Sequence, residues 1–253
     1  MKKILSLTVF VILAIAVFKM CSGSDEPVPD YNIDAPNYNV EASTDGTDTK
    51  AKDTMDNSKT INGHKFVDLG LPSGLLWAET NVGAETENDF GDYFAWGETE
   101  PKKTYTYESG KYSTSETNMT KYNKTDGLTV LEDDDDAAHV NWGAPCRMPT
   151  ETECQELMDY DLCSWTYEIR TSASGADVVG YKVTSNKNGN SIFMPFSGYY
   201  SGENLLGEEQ GLYYCSTLFE DNWTSGFSLK SDQPWWTSIT RCLGCTIRPV
   251  AEP

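Results

Sequence analysis

The chain has 253 residues and carries 39 Asp and Glu against 19 Lys and Arg, a formal charge of −20. Thirty of those acids and thirteen of the bases lie after residue 60, so the acidity belongs to the body of the chain. This argues against nucleic acid as a partner, since a phosphate backbone requires clustered Lys and Arg, and against direct contact with anionic membrane surfaces.

Met1-Lys2-Lys3 followed by a mostly apolar run over 4–18 has the layout of a secretory signal, residues 1–20. The run is shorter than the ~20 apolar residues that span a bilayer. Cys21 and the small, acidic tract behind it resemble a bacterial lipoprotein signal, although Phe18-Lys19-Met20 stands where that signal has Leu-small-small. The resemblance implies lipidation at Cys21, with membrane contact only through that anchor. It also implies an exported outer-membrane lipoprotein displayed at the cell surface, because Ser24-Asp25-Glu26 is similar to the export tag of such proteins in Bacteroidota. Residues 21–60 are polar and acidic with almost no large aliphatic side chains. They read as a flexible stalk, since they cannot bury enough apolar surface to offset their ordering entropy. Asp53-Thr54-Met55 resembles an O-glycosylation site, but an unmodified linker is the preferred reading.

From Gly63 the character changes, and residues 61–253 read as one domain. Strands are expected over 64–69 and 75–78 around a turn at Leu71-Pro72-Ser73-Gly74, and again over 92–96. Residues 98–128, polar and dotted with tyrosine, read as a long surface loop. Asp133 to Asp136 precede a short helix, where carboxylates favour the N-terminal end of the dipole. Thr150 and Glu153 have capping-box spacing at the start of a second helix, whose apolar face is Cys154, Leu157 and Met158. Strands follow over 178–184 and 191–196 around the turn Asn186 to Asn190, then over 213–219, 226–230 and 245–250. The fold class expected is α+β, with two short helices and mainly antiparallel strands.

Val67-Asp68-Leu69-Gly70-Leu71-Pro72-Ser73-Gly74-Leu75-Leu76-Trp77-Ala78, then Tyr93-Phe94-Ala95-Trp96-Gly97-Glu98, resembles the Fibrobacter succinogenes major paralogous domain family. Asp135-Asp136-Ala137-Ala138, Arg147-Met148-Pro149-Thr150, Gly180-Tyr181-Lys182-Val183-Thr184 and Ile247-Arg248-Pro249-Val250 extend the likeness across roughly residues 63–250. It implies a C-type-lectin-like domain on an exported protein and assigns no activity. Arg147-Met148-Pro149-Thr150-Glu151-Thr152-Glu153 is also distantly similar to a segment of formylglycine-generating enzymes, copper-dependent oxidases that use a cysteine pair. Cys242 and Cys245 are more closely spaced and nearer the chain end than that pair, so the activity is not carried over.

Six cysteines remain beyond Cys21: Cys146, Cys154, Cys163, Cys215, Cys242 and Cys245. In an exported chain they are disulfide candidates of open connectivity, with buried thiols the competing reading. Cys242-x-x-Cys245 could be half a zinc site, but the partner pair is missing, and a disulfide or pairing with Cys215 or Cys146 is favoured. Asp133 to Asp136 lack the loop pattern of a calcium site and read as a solvated helix start. His64 and His139 sit in no hydrolase or metalloprotease motif, while paired carboxylates for glycoside hydrolysis stay open. No metal, cofactor or catalytic residue is therefore assigned. Arg147 and Arg248, each beside a proline, read as structural forks onto carboxylates or carbonyls.

The aromatic residues are the functional lead. Trp223, Trp235, Trp236, Tyr199 and Tyr200 are candidate ligand-binding residues, because aromatic faces pack on sugar rings and anchor protein interfaces. Core packing is the rival reading, for Trp235-Trp236 above all. Gln233-Pro234-Trp235 and Asn222-Trp223 lack the carboxylates of calcium-bridged lectin motifs. The expectation is a non-catalytic surface module for a glycan or an extracellular protein, with an enzyme or a structural envelope component as alternatives.

Overall fold

The computed structural model describes residues 58–172 and 174–253. The signal, Cys21, Asp53-Thr54-Met55 and nearly all of the expected stalk lie outside the described residues. Among the described residues fifteen strands and two short α-helices, all strand ladders antiparallel, make a β-rich fold.

A five-stranded sheet joins the two ends of the described chain, in the order β1 (Ser58–Ile61), β2 (His64–Asp68), β3 (Leu76–Ala78), β15 (Val250–Ala251), β6 (Cys146–Arg147). β1 begins inside the segment expected to be stalk. A second sheet holds β7 (Cys163–Thr171), β8 (Asp177–Ser185) and β9 (Ser191–Pro195), and a third β12 (Gln210–Glu220), β13 (Trp223–Lys230) and β14 (Pro234–Thr240). Two hairpins, β4 (Ser113–Ser115) with β5 (Asn118–Met119) and β10 (Tyr199–Ser201) with β11 (Asn204–Leu206), complete the strands. The helices are α1 (Ala137–Trp142) and α2 (Glu151–Met158). No helix among the described residues is long and apolar enough to cross a membrane.

Two hydrophobic cores organise these elements, and two of the sheets feed both. Alternate residues of a strand face opposite sides. Accordingly Phe66, Leu76, Ala78, Cys146 and Ala251 enter the first core, while Val67, Trp77 and Val250 enter the second. On the third sheet Leu212, Tyr214 and Ile239 face the first core, and Tyr213, Cys215, Phe227 and Leu229 the second. A sheet covered on both faces reads as unbroken apolar runs rather than alternation. That is why Leu75-Leu76-Trp77-Ala78 has no polar face.

Three expectations are corrected. Residues 92–96 form no strand: Asp92, Phe94 and Trp96 donate their amides to Val82, Cys245 and Arg241 in turn, so no single neighbour runs alongside. Gly91 and Gly97, with φ of 77° and 82°, bend the backbone away at both ends. Residues 245–250 behave likewise: Cys245 bridges Phe94, Thr246 bridges Tyr213, and only Val250 and Ala251 belong to a strand. These segments are apolar because they are enclosed, not because they are laddered. The 98–128 segment is not simply a surface loop, since Tyr105, Tyr107 and Tyr122 are buried and β4–β5 lies within it.

Gly180 on β8 shows how closely the second sheet is packed. A Cβ there would strike the Met194 carbonyl oxygen and lie 2.6 Å from the Phe193 ring and 2.8 Å from Pro195 Cα. Backbone cannot yield as a flexible side chain does. Gly180→Ala is expected to destabilise the fold by about 1–3 kcal/mol in urea unfolding, from the clash with backbone on β9.

Candidate binding surface

The hairpin β13–β14 carries the three candidate tryptophans. β14 is the last strand of its sheet, and Pro234 opens it, a position where the missing N–H costs no ladder bond. Trp236 pairs with Phe227 and packs against the second core, whereas Trp235 pairs with Ser228 and faces the other way. Both rings are partly buried, so neither wholly core nor wholly surface describes them. Trp223 starts β13 opposite Thr240 and is also partly buried. It stands beside the Asp221 turn, which Arg241 holds by donating to the Asp221 carbonyl at 2.8 Å and the Tyr122 carbonyl at 2.9 Å.

The indole N–H groups divide the tryptophans only in part, since Trp77, 0% exposed in the second core, also lacks an acceptor among the described residues. Trp96 donates to the Cys215 carbonyl at 2.8 Å and Trp165 to the Leu157 carbonyl at 3.2 Å. The N–H groups of Trp223, Trp235 and Trp236 meet no acceptor among the described residues. Each presents apolar ring surface and an uncommitted donor on a partly exposed side chain, the combination that suits interface aromatics.

The two tyrosines divide. Tyr199 is 4% exposed and packs in the first core, which withdraws it from the candidate surface. Tyr200 is partly exposed and sits edge-on to Tyr93, ring centroids 4.9 Å apart, and tilted against Tyr105 at 5.5 Å. Its backbone exchanges hydrogen bonds with Gly244 at 2.8 and 2.9 Å, which fixes the ring position. Tyr105 donates to the Tyr93 carbonyl at 2.6 Å, and the Tyr93 hydroxyl donates to the Ser197 carbonyl. Burial, reinforced by Tyr200 and Tyr213, pushes the Tyr93 hydroxyl well above the usual phenol range, so it remains a neutral donor. No ring contact among the described residues links Tyr200 with the three tryptophans. The sequence does not single out Tyr105, and Tyr93 stands there only within the run Tyr93 to Glu98.

The acidic tetrad is a helix start, but only half of it is solvated. Asp133 and Asp134 are exposed, but Asp135 and Asp136 are buried. Asp136 caps α1 through its carboxylate, which accepts from His139 N–H at 3.0 Å and from Met148 N–H at 2.8 Å. Asp135 accepts from Lys111 at 2.7 Å, Lys121 at 2.6 Å, Tyr112 at 2.5 Å and Tyr122 at 2.6 Å. Two of the four carboxylates are thus already engaged by the protein's own donors. Burial and the bond to Asp135 push the Tyr122 hydroxyl up to about 12.

Arg147 grips Glu153 with two bonds of 2.8 and 2.7 Å, and Glu153 also accepts from Thr150 N–H at 2.7 Å, the backward half of the expected capping box. All six cysteines of the domain are buried. Among the described residues no disulfide joins Cys146, Cys154, Cys163 or Cys215. Cys215, expected as a possible partner of the Cys242–Cys245 pair, lies against Cys154 instead. Cys242 and Cys245 are 2% and 0% exposed, which closes them to a substrate in this conformation.

No protein-family model, curated protein or solved structure matches the chain.

Proposed function

We propose that this chain is an exported, lipid-anchored surface protein whose single C-type-lectin-like domain is a non-catalytic binding module for a glycan or an extracellular protein. The likeness of its motifs to the Fibrobacter succinogenes major paralogous domain family supports the domain type, and the signal-like start with Cys21 supports export and anchoring. The observation that carries the binding reading is the set of three partly buried tryptophans, Trp223, Trp235 and Trp236, with uncommitted indole N–H groups. Trp235 is the preferred anchor, because Trp236 also serves the second core. The acidity of the domain favours neutral or cationic ligands over anionic ones.

The test is a binding screen of the purified chain against a glycan array and extracellular proteins, with Trp235→Ala beside it and its fold verified by circular dichroism. Saturable binding weakened about tenfold or more in Trp235→Ala is expected, as for an interface hot spot. Binding left intact would move the site away from β14, and absence of saturable binding throughout would remove the reading.

A further inference from the structure

Cys154 lies in the middle of α2, and Cys215 lies on the face of β12 that looks into the second core. Both are 0% exposed, and their sulfur atoms are 2.7 Å apart across 61 residues of sequence. Two unbonded sulfurs do not rest comfortably at that separation. Among the described residues neither thiol has another hydrogen-bond partner, and the charged groups that act on Cys154 are Glu151 and Glu153 rather than a base, so the site is not built as a nucleophile. The surrounding contacts hold α2 in register on its sheet: Glu151 N–H donates to Thr217 Oγ1 at 3.0 Å, and Ser225 donates to the Glu151 carboxylate at 2.8 Å. The two sulfurs therefore meet by construction rather than by chance rotation of a surface helix.

We propose that Cys154 and Cys215 are an oxidation site, joined as a disulfide that locks α2 onto β12 when the chain folds in an oxidising compartment. The co-reactant is a disulfide-bearing thiol oxidant. One cysteine thiolate attacks that disulfide, releasing one oxidant sulfur as thiol and forming a mixed disulfide. The second cysteine displaces the other oxidant sulfur, giving the Cys154–Cys215 bond. Two S–H bonds of the chain are lost, and two electrons and two protons pass to the oxidant, which leaves as a dithiol. Because both sulfurs are sealed from solvent, the exchange takes place before α2 docks, and the finished bond resists mild reductant.

The test is a disulfide map of the full chain, refolded with oxidised glutathione, alkylated under denaturing conditions and digested without reduction. A peptide pair joining Cys154 to Cys215 is expected. Thermal unfolding should then fall by about 5–15 °C on full reduction, and Cys154→Ser should lack that drop. Alkylation of either cysteine in the refolded chain, or its pairing with a different cysteine, overturns the proposal. The peptide map decides the matter even if Cys154→Ser does not fold.

Discussion

Replacing Arg248 with alanine is expected to cost about 3–5 kcal/mol of folding stability, from the loss of the donor to three buried acceptors together with the cavity it leaves. Arg248 is 1% exposed, and its guanidinium donates to Asn81 Oδ1 at 2.8 Å, the Ala78 carbonyl at 3.2 Å and the Phe193 carbonyl at 2.9 Å. Ala78 ends β3 and Phe193 lies on β9, so one side chain ties the five-stranded sheet to the second sheet. Among the described residues no carboxylate is within ion-pair distance. Burial accordingly lowers the guanidinium pKa, yet an arginine stays charged at any pH the fold survives. Truncation would leave two buried carbonyls and an amide oxygen without donors, as well as a cavity. Arg248→Lys should recover roughly half of the loss at best, because a single ammonium cannot reproduce a planar fork reaching three acceptors. Urea unfolding of both variants measures this. A loss below about 1 kcal/mol for Arg248→Ala would mean that the three acceptors find other donors or water.

How much of this was legible in the sequence differed by element, for physical reasons. Strands β2, β3, β8, β9, β12 and β13, both helices and the turn at 186–190 were visible as apolar runs, caps and turn residues. β7 was missed although Cys163, Trp165, Tyr167 and Ile169 alternate with polar residues, the period-two signal of a strand. Tyr167 and Ile169 are 44% and 62% exposed, so the alternation there marks an overhanging edge rather than a core face. The opposite error arose at 92–96 and 245–250, where enclosure produced strand-like composition without a ladder. Among the site residues, Trp235 and Trp236 kept the divided character their adjacency implied. The burial of Tyr199 was not readable, since it depends on how β10 folds over the first core. Nor was the role of Asp135, because a carboxylate in an acidic run looks solvated until the lysines and tyrosines of a distant segment are brought to it.

Asp135→Asn tests that last contact, with an expected loss of about 2–4 kcal/mol near neutral pH. The side chain of Asp135 is 2% exposed, while Lys111 and Lys121 are 43% and 26% exposed, so solvent screens part of the attraction and the value sits below that of a sealed pair. Burial alone would raise the Asp135 pKa, but Lys111, Lys121, Tyr112 and Tyr122 together outweigh it and hold the carboxyl well below the usual carboxylate range. A carboxyl depressed in the folded state stabilises the fold above its unfolded pKa of about 3.9 and loses that contribution as pH falls through the folded value. Acid unfolding of the native chain should therefore steepen below about pH 4, and Asp135→Asn should flatten that part of the profile. Asp134→Asn, an exposed neighbour, is the control and should change stability by no more than about 0.5 kcal/mol. Because all four donors come from residues 111–122, hydrogen exchange should show lost protection there before the sheets open. Protection lost uniformly across the domain would instead make Asp135 part of the global core rather than the tether of one segment.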